Sequence, residues 1–319
     1  GAPNYNIFDH LITCINATTS NFTSVNNIFQ NTHTIIGGGG GGPVGGIGIN
    51  AVSGRSGNCR IRVIPGTPVG GFNNKFFDCS RAVFTSNYLE HQIKFCDVRS
   101  TQTNPAPLHF PLQQGKYGFY MTTNRFLNVD VSDNQLYNIE NAITFNANYG
   151  FVNILGLPNA QYSGQVDINR NIIQPHLTGN IITTQYVENA IYVANVISTG
   201  FLQLIPGTTV NQNANQINTV MRGISVANWG MKDINTISNC ISLINDPFFT
   251  PTIQFGVGHF NNNALTLSGN LIYNNTITGP NITNTLMHGA YESMSTNEYM
   301  RCNTTQNTYS GIEFDGIGT

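Results

Sequence analysis

The sequence predicts an all-β fold in which short strands stack in successive coils, and three observations support this. Charged residues make up only 9% of the 319 residues, whereas asparagine (46 residues) and glycine (33 residues) are abundant. Both residue types favour turns and disfavour helices. Apolar and polar residues alternate over only a few positions at a time, which is typical of short strands with one buried face. Finally, one alternating segment recurs along the chain.

The recurring segment is a four-residue cassette in which a small residue precedes an apolar, a polar and an apolar residue. Its members are Ala142–Phe145, Ala190–Val193, Gly223–Val226, Ala264–Leu267 and Gly311–Phe314, with Ala82–Phe84 as an earlier match. Second alternating segments lie at Leu127–Val131, Val166–Asn169, Ile234–Ile237 and Asn270–Ile277. One such unit cannot bury its own apolar side, so we expect the units to stack through parallel strands spaced ~4.8 Å apart.

Asparagine is well suited to the corners between such strands. It tolerates the left-handed backbone region better than most residues. Asparagine amides stacked on successive coils can also hydrogen-bond to one another along the axis. We therefore expect ladders of asparagine at the corners of the coil.

Several segments resemble right-handed parallel β-helix proteins of the pectin-lyase-like superfamily. They contain Asn-x-Ile and [Gly/Ala]-Ile-x-[Phe/Val], as in VDVSDNQLYNIENAITFNAN, YVENAIYVANVIS, MRGISVANWGMKDINTISNC and GNLIYNNTITG. In its low charge and high asparagine content, the chain is similar to the coils of long secreted surface proteins of Bacteroidota. The resemblance covers residues 72–316 and implies a right-handed parallel β-helix with loop insertions. It does not fix the chemistry, because the superfamily includes lyases, hydrolases, adhesins and phage tailspikes.

The chain is expected to form one continuous domain with two parts. Residues 1–71 are interpreted as irregular N-terminal rungs or a cap containing the glycine-rich loop 37–48, and residues 72–319 as the regular coils. The glycine-rich loop lacks the lysine and hydroxyl residue of a phosphate-binding loop, so it does not predict a nucleotide site. The chain ends on a cassette. This position of the cassette favours two interpretations: the chain is a piece of a longer coil, or a neighbouring domain covers its last coil.

The charge pattern restricts location and partners. The 13 basic and 15 acidic residues form no run of either sign, which argues against nucleic-acid binding. No apolar stretch is long enough to insert into a membrane. The first residues do not have the pattern of an export signal, so any such signal is expected to have been removed or to lie upstream. The low charge favours an extracellular or cell-surface location.

The six cysteines leave the redox chemistry open. They form no CxxC pair, which argues against a zinc ribbon or a thioredoxin-type motif. Their even number permits disulfides, and the favoured pair joins Cys59 to Cys79 or Cys96. The alternative is that these residues are buried thiols that pack as small apolar side chains.

Enzymatic activity is the main alternative to a structural role. A glycoside hydrolase needs two carboxylates flanking one bond, and a polysaccharide lyase needs a calcium-binding group of acids with a basic residue. The candidate catalytic residues are Asp130, Asp133, Asp167 and Arg170, and the further candidates for a calcium-dependent lyase are Glu188, Arg222, Lys232 and Asp233. The dispersed acids argue against a dense calcium site, although a single structural calcium ion at a loop stays open. The histidines lack metal-ligand spacing, so His259 and His288 are interpreted as surface or corner residues.

Aromatic residues beside glycine or asparagine suggest a carbohydrate-contacting surface. The candidates are Tyr117 and Tyr120, close to Phe119, together with Tyr149 and Trp229. Rings stack on sugar faces while nearby amides bind hydroxyl groups, and loops often carry such sites. Alternatively, these rings cover the ends of the apolar core.

The sequence therefore favours a non-catalytic module of a secreted or cell-surface protein, acting as an adhesin or spacer that contacts polysaccharide. Its expected partners are polysaccharide, other surface components and neighbouring domains of a longer chain, and no cofactor is expected beyond the open calcium option. The first alternative is a polysaccharide lyase or glycoside hydrolase. The second is a phage or virus fibre, which predicts a long apolar outer stripe.

Overall fold

The computed structural model describes residues 5–30, 34–35, 44–54, 59–66, 74–100, 116–123, 127–147, 165–175, 177–178, 181–182, 187–195, 209–227, 230–231, 233–244, 253–260, 262–264, 270–280, 285–295 and 298–315. Within these ranges the regular elements are all β-strands. In chain order they are β1 (Asn6–Asp9), β2 (Thr13–Thr18), β3 (Phe22–Ser24), β4 (Asn27–Gln30), β5 (Thr34–Ile35), β6 (Val44–Gly45), β7 (Ile47–Val52), β8 (Arg60–Val63), β9 (Asn74–Phe77), β10 (Arg81–Ser86), β11 (Glu90–Lys94), β12 (Cys96–Arg99), β13 (Tyr117–Thr123), β14 (Asn128–Ser132), β15 (Gln135–Tyr137), β16 (Asn141–Ala147), β17 (Gln165–Asn169), β18 (Ile172–Gln174), β19 (Leu177–Thr178), β20 (Ile181–Ile182), β21 (Val187–Asn195), β22 (Thr209–Asn213), β23 (Gln216–Ala227), β24 (Gly230–Met231), β25 (Asp233–Ile237), β26 (Cys240–Leu243), β27 (Gln254–Phe260), β28 (Asn263–Ala264), β29 (Asn270–Tyr273), β30 (Thr276–Thr278), β31 (Met287–Ser293), β32 (Glu298–Arg301), β33 (Thr304–Gln306) and β34 (Ser310–Asp315).

Parallel pairing arranges most of these strands in three columns, which are the three faces of a coil. The first face consists of β2, β7, β10, β13, β16, β21, the second half of β23, β27, β31 and β34. The second face consists of β3, β8, β11, β14, β17, β22, β25, β29 and β32. The third face consists of β1, β4, β9, β12, β15, β18, the start of β23, β26, β30 and β33. The predicted all-β parallel β-helix is thereby confirmed.

The remaining strands lie in the connections between faces. β5 pairs with β6 and β19 pairs with β20 in antiparallel hairpins. β24 pairs with β28 in a short parallel ladder outside the three faces. These small sheets belong to the loop insertions expected from the uneven spacing of the repeat.

Inward-facing side chains form ladders along the axis, because parallel register places like positions above one another. On the third face, Phe8, Phe29 and Phe76 stack with ring centroids 5.2 and 4.7 Å apart. Aliphatic side chains continue this buried ladder at Val98, Leu136, Ile173, Ile217, Ile241 and Ile277. Burial of these ladders supplies the hydrophobic stabilisation that no single coil could provide.

The small residue of the cassette lies where the third face turns into the first face. A Cβ atom added at Gly223 would come within 2.3 Å of the Gly256 carbonyl oxygen and 2.9 Å of Ile241 Cγ2. The large inward residue of the third face therefore requires a small residue at this corner. The cassettes at Ala82, Ala142, Ala190, Gly223 and Gly311 all occupy this position of the first face.

The cassette at Ala264 was wrongly assigned. Ala264 ends β28 and pairs with Met231, outside the first face. The first-face segments between Gly223–Val226 and Gly311–Phe314 are instead Gly256–His259 and Gly289–Glu292. The sequence pattern missed them because the second inward position is His259 in one and Glu292 in the other, where an apolar residue was expected.

An asparagine ladder runs along the corner between the second and third faces. Its five buried rungs each donate from the side-chain Nδ2 to the Oδ1 of the next rung over distances of 2.9–3.1 Å. The order is Asn134, Asn171, Asn215, Asn239 and Asn275, and the last acceptor is the partly buried Asn303. Each Nδ2 group also donates to a carbonyl of the preceding coil, as Asn215 does to Ile168 at 2.9 Å. The main-chain N–H of Asn171 donates to the same Asn215 Oδ1 atom at 2.9 Å. The expected amide stacking is thus confirmed.

The residue before each ladder position has left-handed backbone geometry. The φ angles are 60° at Asp133, 56° at Arg170, 55° at Ala214 and 56° at Ser238. This conformation costs about 1–2 kcal/mol in a residue with a Cβ atom. The surrounding hydrogen bonds hold the corner in place, so varied residue types occupy the strained position while asparagine occupies the next one.

We expect Asn215→Ala to lower the free energy of unfolding by about 3 kcal/mol, because it leaves buried donors and acceptors on both neighbouring coils without partners. Thermal or urea unfolding followed by circular dichroism measures this change. The matched control is Asn16→Ala, which removes an exposed amide–amide bond to Asn50. Equal effects of the two substitutions would contradict a dominant role for the ladder.

Cys96 occupies the ladder position between Asn74 and Asn134. Its Sγ atom lies 3.9 Å from the Val63 carbonyl, at the position where an asparagine Nδ2 group would donate. We expect Cys96→Asn to raise the melting temperature, because an amide makes stronger hydrogen bonds than a thiol in this column. A lower melting temperature than that of the wild type would show that the corner cannot accommodate the larger side chain.

Candidate functional site

Aromatic side chains gather on the outer side of the first face. Phe84 on β10 and Tyr120 on β13 are register partners, and their rings stack with centroids 5.8 Å apart and planes 9° apart. The Tyr117 ring meets the Tyr120 ring edge-on at 5.0 Å. All three rings are half-buried. The parallel register of neighbouring coils therefore builds a small aromatic surface.

One guanidinium group joins these rings. The Arg81 Cζ atom lies 5.4, 5.5 and 5.8 Å from the ring centroids of Phe84, Tyr117 and Tyr120. Such cation–π contacts hold both partners in place. We call Arg81, Phe84, Tyr117 and Tyr120 the aromatic patch.

Polar groups border the aromatic patch. The Asn146 Nδ2 group donates to the Tyr120 hydroxyl at 3.2 Å. Burial raises the pKa of Tyr117 and of Tyr192, which lies two coils beyond Tyr120 in the same column. These phenols therefore stay neutral and can both donate and accept hydrogen bonds.

A polar row continues from Tyr117 along the first face. The Asn189 Nδ2 group donates to Asn141 Oδ1 at 2.7 Å. On the next coil, Arg222 Nη1 lies 3.6 Å from Glu188 Oε1. Ring faces and amide groups are therefore neighbours on one surface, and this combination suits a ligand with both apolar faces and hydroxyl groups.

Sequence reasoning identified only part of this patch. Tyr117 and Tyr120 are brought together, whereas Phe119 points inward and is fully buried. Arg81 and Phe84 were missed as site residues. Alignment of Ala82–Phe84 with the next coil could have found Phe84, since it occupies the outward cassette position. Tyr149 and Trp229 lie outside the described residues.

Two of the acidic candidates lie on the second face. Asp130 and Asp167 are register partners on β14 and β17, so their side chains share the outer surface. Asp130 forms an ion pair with Lys94 and accepts a 2.7 Å hydrogen bond from Ser132 Oγ. Asp167 accepts 2.7 Å hydrogen bonds from two amides, Asn211 Nδ2 and Gln165 Nε2.

The remaining two candidates form a bidentate ion pair. Arg170 Nε and Nη2 each donate to an Asp133 carboxylate oxygen at 2.7 Å. Contact with Asp133 raises the pKa of the Arg170 guanidinium, so this group remains charged rather than serving as a proton acceptor. The four candidates are thus close together, but each has a direct partner in a network typical of a solvated protein face.

Of the other calcium candidates, Glu188 and Arg222 have described side chains, and both lie on strands of the first face. Glu188 faces Arg222, the side chain of Asp233 is not described, and Lys232 lies outside the described residues. Across the described ranges, histidine, cysteine, aspartate and glutamate side chains form no group of three or more that could hold a metal ion.

The interpretation of His259 and His288 as surface or corner residues was wrong, because both are buried and lie within β27 and β31. His259 Nδ1 lies 2.6 Å from Glu298 Oε1, and Glu292 is the register partner of His259 on the next coil. At this inward position of the first face, the preceding coils carry Phe145, Val193 and Val226, so ionisable groups replace apolar ones here. The sequence shows this change at Gly256–His259 and Gly289–Glu292, where His259 and Glu292 replace the second apolar residue of the cassette.

The favoured disulfide was also wrong, because all six cysteines are free thiols in the structure. Cys59 precedes the second-face strand β8, Cys96 begins the third-face strand β12, and Cys79 follows the third-face strand β9. They therefore lie at three different corners of the coil. The Cys79 sulfur lies 3.8 Å from the Phe29 carbonyl, and the Cys96 sulfur occupies the asparagine column. The alternative of buried thiols describes all three.

Comparisons with family models, curated proteins and solved structures gave no match to this chain. Within the described residues, no helix is long and apolar enough to cross a membrane. The basis for a functional proposal is therefore the surface geometry described above.

We expect Glu292→Gln to stabilise the protein at neutral pH. Burial raises the pKa of Glu292 above its ordinary 4.5, so the folded state disfavours the ionised carboxylate. Glutamine keeps an acceptor for the Ser295 main-chain N–H, which lies 2.5 Å from Glu292 Oε1. The sign follows from proton linkage: the gain is present at neutral pH and disappears as the pH falls below 4.5, where both folded and unfolded wild type are protonated.

Melting temperatures of the wild type and Glu292→Gln across this pH range measure the effect. The control is Glu313→Gln, which changes a half-buried carboxylate on the neighbouring strand β34. A stabilisation independent of pH, or one that the control reproduces, would refute the assignment to the buried charge of Glu292.

Proposed function

We propose that this chain is a non-catalytic module of a secreted or cell-surface protein, in which the coil is a rigid support and the aromatic patch binds polysaccharide. The observation that carries the proposal is the stacked pair of Phe84 and Tyr120 on adjacent coils, held under the Arg81 guanidinium. Aromatic rings at a partly exposed, prearranged site offer apolar area at low entropic cost.

The chemistry around the patch supports a sugar rather than a strongly charged ligand. Arg81 lowers and both Glu140 and Glu188 raise the Tyr117 pKa electrostatically, so charges of both signs surround the ring. The nearby Asn141, Asn146 and Asn189 amides can donate and accept hydrogen bonds at the same time. Sugar hydroxyls need this dual capacity, whereas an ionic polymer would favour one sign of charge.

Binding to insoluble and soluble polysaccharides tests the proposal. We expect the wild type to be retained on at least one neutral polymer, and Phe84→Ala or Tyr120→Ala to weaken the affinity about tenfold, the equivalent of about 1.4 kcal/mol. Affinity electrophoresis or titration calorimetry with the retained polymer measures the change.

The matched control is Tyr273→Ala, since Tyr273 lies under Arg301 at 5.1 Å on the second face. This change removes a similar arginine–tyrosine contact away from the patch. Lack of retention on any polymer, or equal losses in the control and the patch variants, would overturn the proposal.

A second candidate, a polysaccharide lyase or glycoside hydrolase, has one observation in its favour. Asp130 and Asp167 are neighbours on adjacent coils, and paired carboxylates are the requirement of glycoside hydrolysis. The same polymers are therefore incubated with the protein, with and without calcium, and the release of reducing ends and unsaturated products is recorded. Turnover that Asp167→Asn abolishes would favour this candidate over a non-catalytic module.

A further inference from the structure

Four polar side chains form a hydrogen-bonded chain inside the last coils. Gln212 Oε1 lies 3.0 Å from Thr236 Oγ1, which lies 3.2 Å from His259 Nε2, and His259 Nδ1 lies 2.6 Å from Glu298 Oε1. Gln212, Thr236 and His259 are fully buried, and only 6% of the Glu298 side chain is exposed. We call these four residues the polar spine.

The hydroxyl hydrogen of Thr236 fixes the direction of this chain. A threonine hydroxyl has one hydrogen, and here it is donated to Gln212 Oε1. The Thr236 oxygen can therefore only accept from His259, so His259 Nε2 carries a hydrogen. The 2.6 Å contact between His259 Nδ1 and Glu298 Oε1 requires another shared proton. The His259–Glu298 pair thus holds two protons in this arrangement.

Loss of one proton to solvent requires the chain to reverse. A bare His259 Nε2 becomes an acceptor, so the Thr236 hydroxyl must turn to donate to it. The Thr236 oxygen then needs a donor from Gln212, and a half-rotation of the Gln212 amide supplies one. In the present orientation Gln212 Nε2 is buried without a hydrogen-bond partner, so this rotation also satisfies a buried donor.

We propose that the polar spine is a proton-controlled switch, in which protonation of the His259–Glu298 pair sets the direction of its hydrogen bonds and the orientation of the Gln212 amide. The elements packed against His259 provide two buried carboxylates, Glu298 on β32 and Glu292 on β31, with Asp315 on β34 acting on Glu292. The neighbouring strand β23 contributes Val226, which is apolar. Gain or loss of one proton therefore changes the net charge of this buried group of side chains by one unit.

A second buried histidine provides an internal control. His91 Nε2 lies 2.9 Å from Thr85 Oγ1, a contact similar to that of His259 with Thr236. No carboxylate contributes to its titration, and burial lowers the pKa of His91 to about 3. His91 is therefore neutral across the range in which the polar spine would switch.

The test uses the full chain labelled with ¹⁵N in its histidine rings, observed by NMR between about pH 4 and 9, the range around ordinary imidazole titration. The His259 signals are identified by their loss in His259→Val. Valine is chosen because Val193 and Val226 occupy the same inward position on the two preceding coils of the first face. We expect two ring N–H groups on His259 at low pH, one at high pH, and no change in His91.

Gln212→Ile tests the coupling along the spine. This change removes the acceptor of the Thr236 hydroxyl, which is then free to donate to His259 Nε2 and favours the singly protonated pair. At any given pH we therefore expect a smaller fraction of His259 rings with two N–H groups in Gln212→Ile than in the wild type. The control is Gln216→Ile, an exposed position on the third face.

A His259 ring that holds one hydrogen throughout the range would overturn the proposal, whether or not the variant folds. An unchanged fraction of doubly protonated rings in Gln212→Ile, or the same decrease in Gln216→Ile, would also overturn it. A decrease found only in Gln212→Ile supports the switch, and this result is independent of polysaccharide binding.

Discussion

The asparagine ladder is the interaction on which the remaining structure depends. Each buried amide from Asn134 to Asn275 bonds to the coil before it and the coil after it, so the corner between the second and third faces is fixed at every step. An unpaired amide at this depth would be costly, and a fully paired one is specific. The ladder thereby fixes the register of neighbouring coils. Hydrophobic burial alone would tolerate a two-residue slip along the strands, because such a slip keeps the apolar side chains facing inward.

Register in turn creates the candidate site. Phe84 and Tyr120 stack because their cassettes are aligned, and Asp130 comes to lie beside Asp167 for the same reason. Residues far apart in the chain become neighbours at the spacing between parallel strands. A surface of this kind is rigid, since each side chain stands on a strand bonded on both sides. Such preorganisation lowers the entropic cost of binding and suits an adhesive or spacer role.

The interior changes character along the axis. Phenylalanine fills the third face in the first coils and aliphatic residues follow, whereas His259, Glu292 and Glu298 enter the interior of the last coils. Buried ionisable groups are tolerated only when they are paired and hydrogen-bonded. The contact between His259 and Glu298 meets part of this requirement, and Glu298 Oε2 is buried without a partner. These coils therefore combine a common architecture with an interior that contains paired ionisable groups.

The sequence by itself determined the all-β coil, because short alternation, scarce charge and the recurring cassette are local features that do not depend on distant contacts. It also indicated asparagine at the corners and two rings of the aromatic patch, Tyr117 and Tyr120. The tertiary structure alone decided which coil lies on which. Loop insertions of varied length separate the coils, and the sequence does not show which positions become register partners. For this reason the stacking of Phe84 on Tyr120, the pairing of Asp133 with Arg170 and the contact of His259 with Glu298 followed only from the fold. The cysteines show the same dependence, since an even count permits disulfides but the three-cornered coil places Cys59, Cys79 and Cys96 at separate corners.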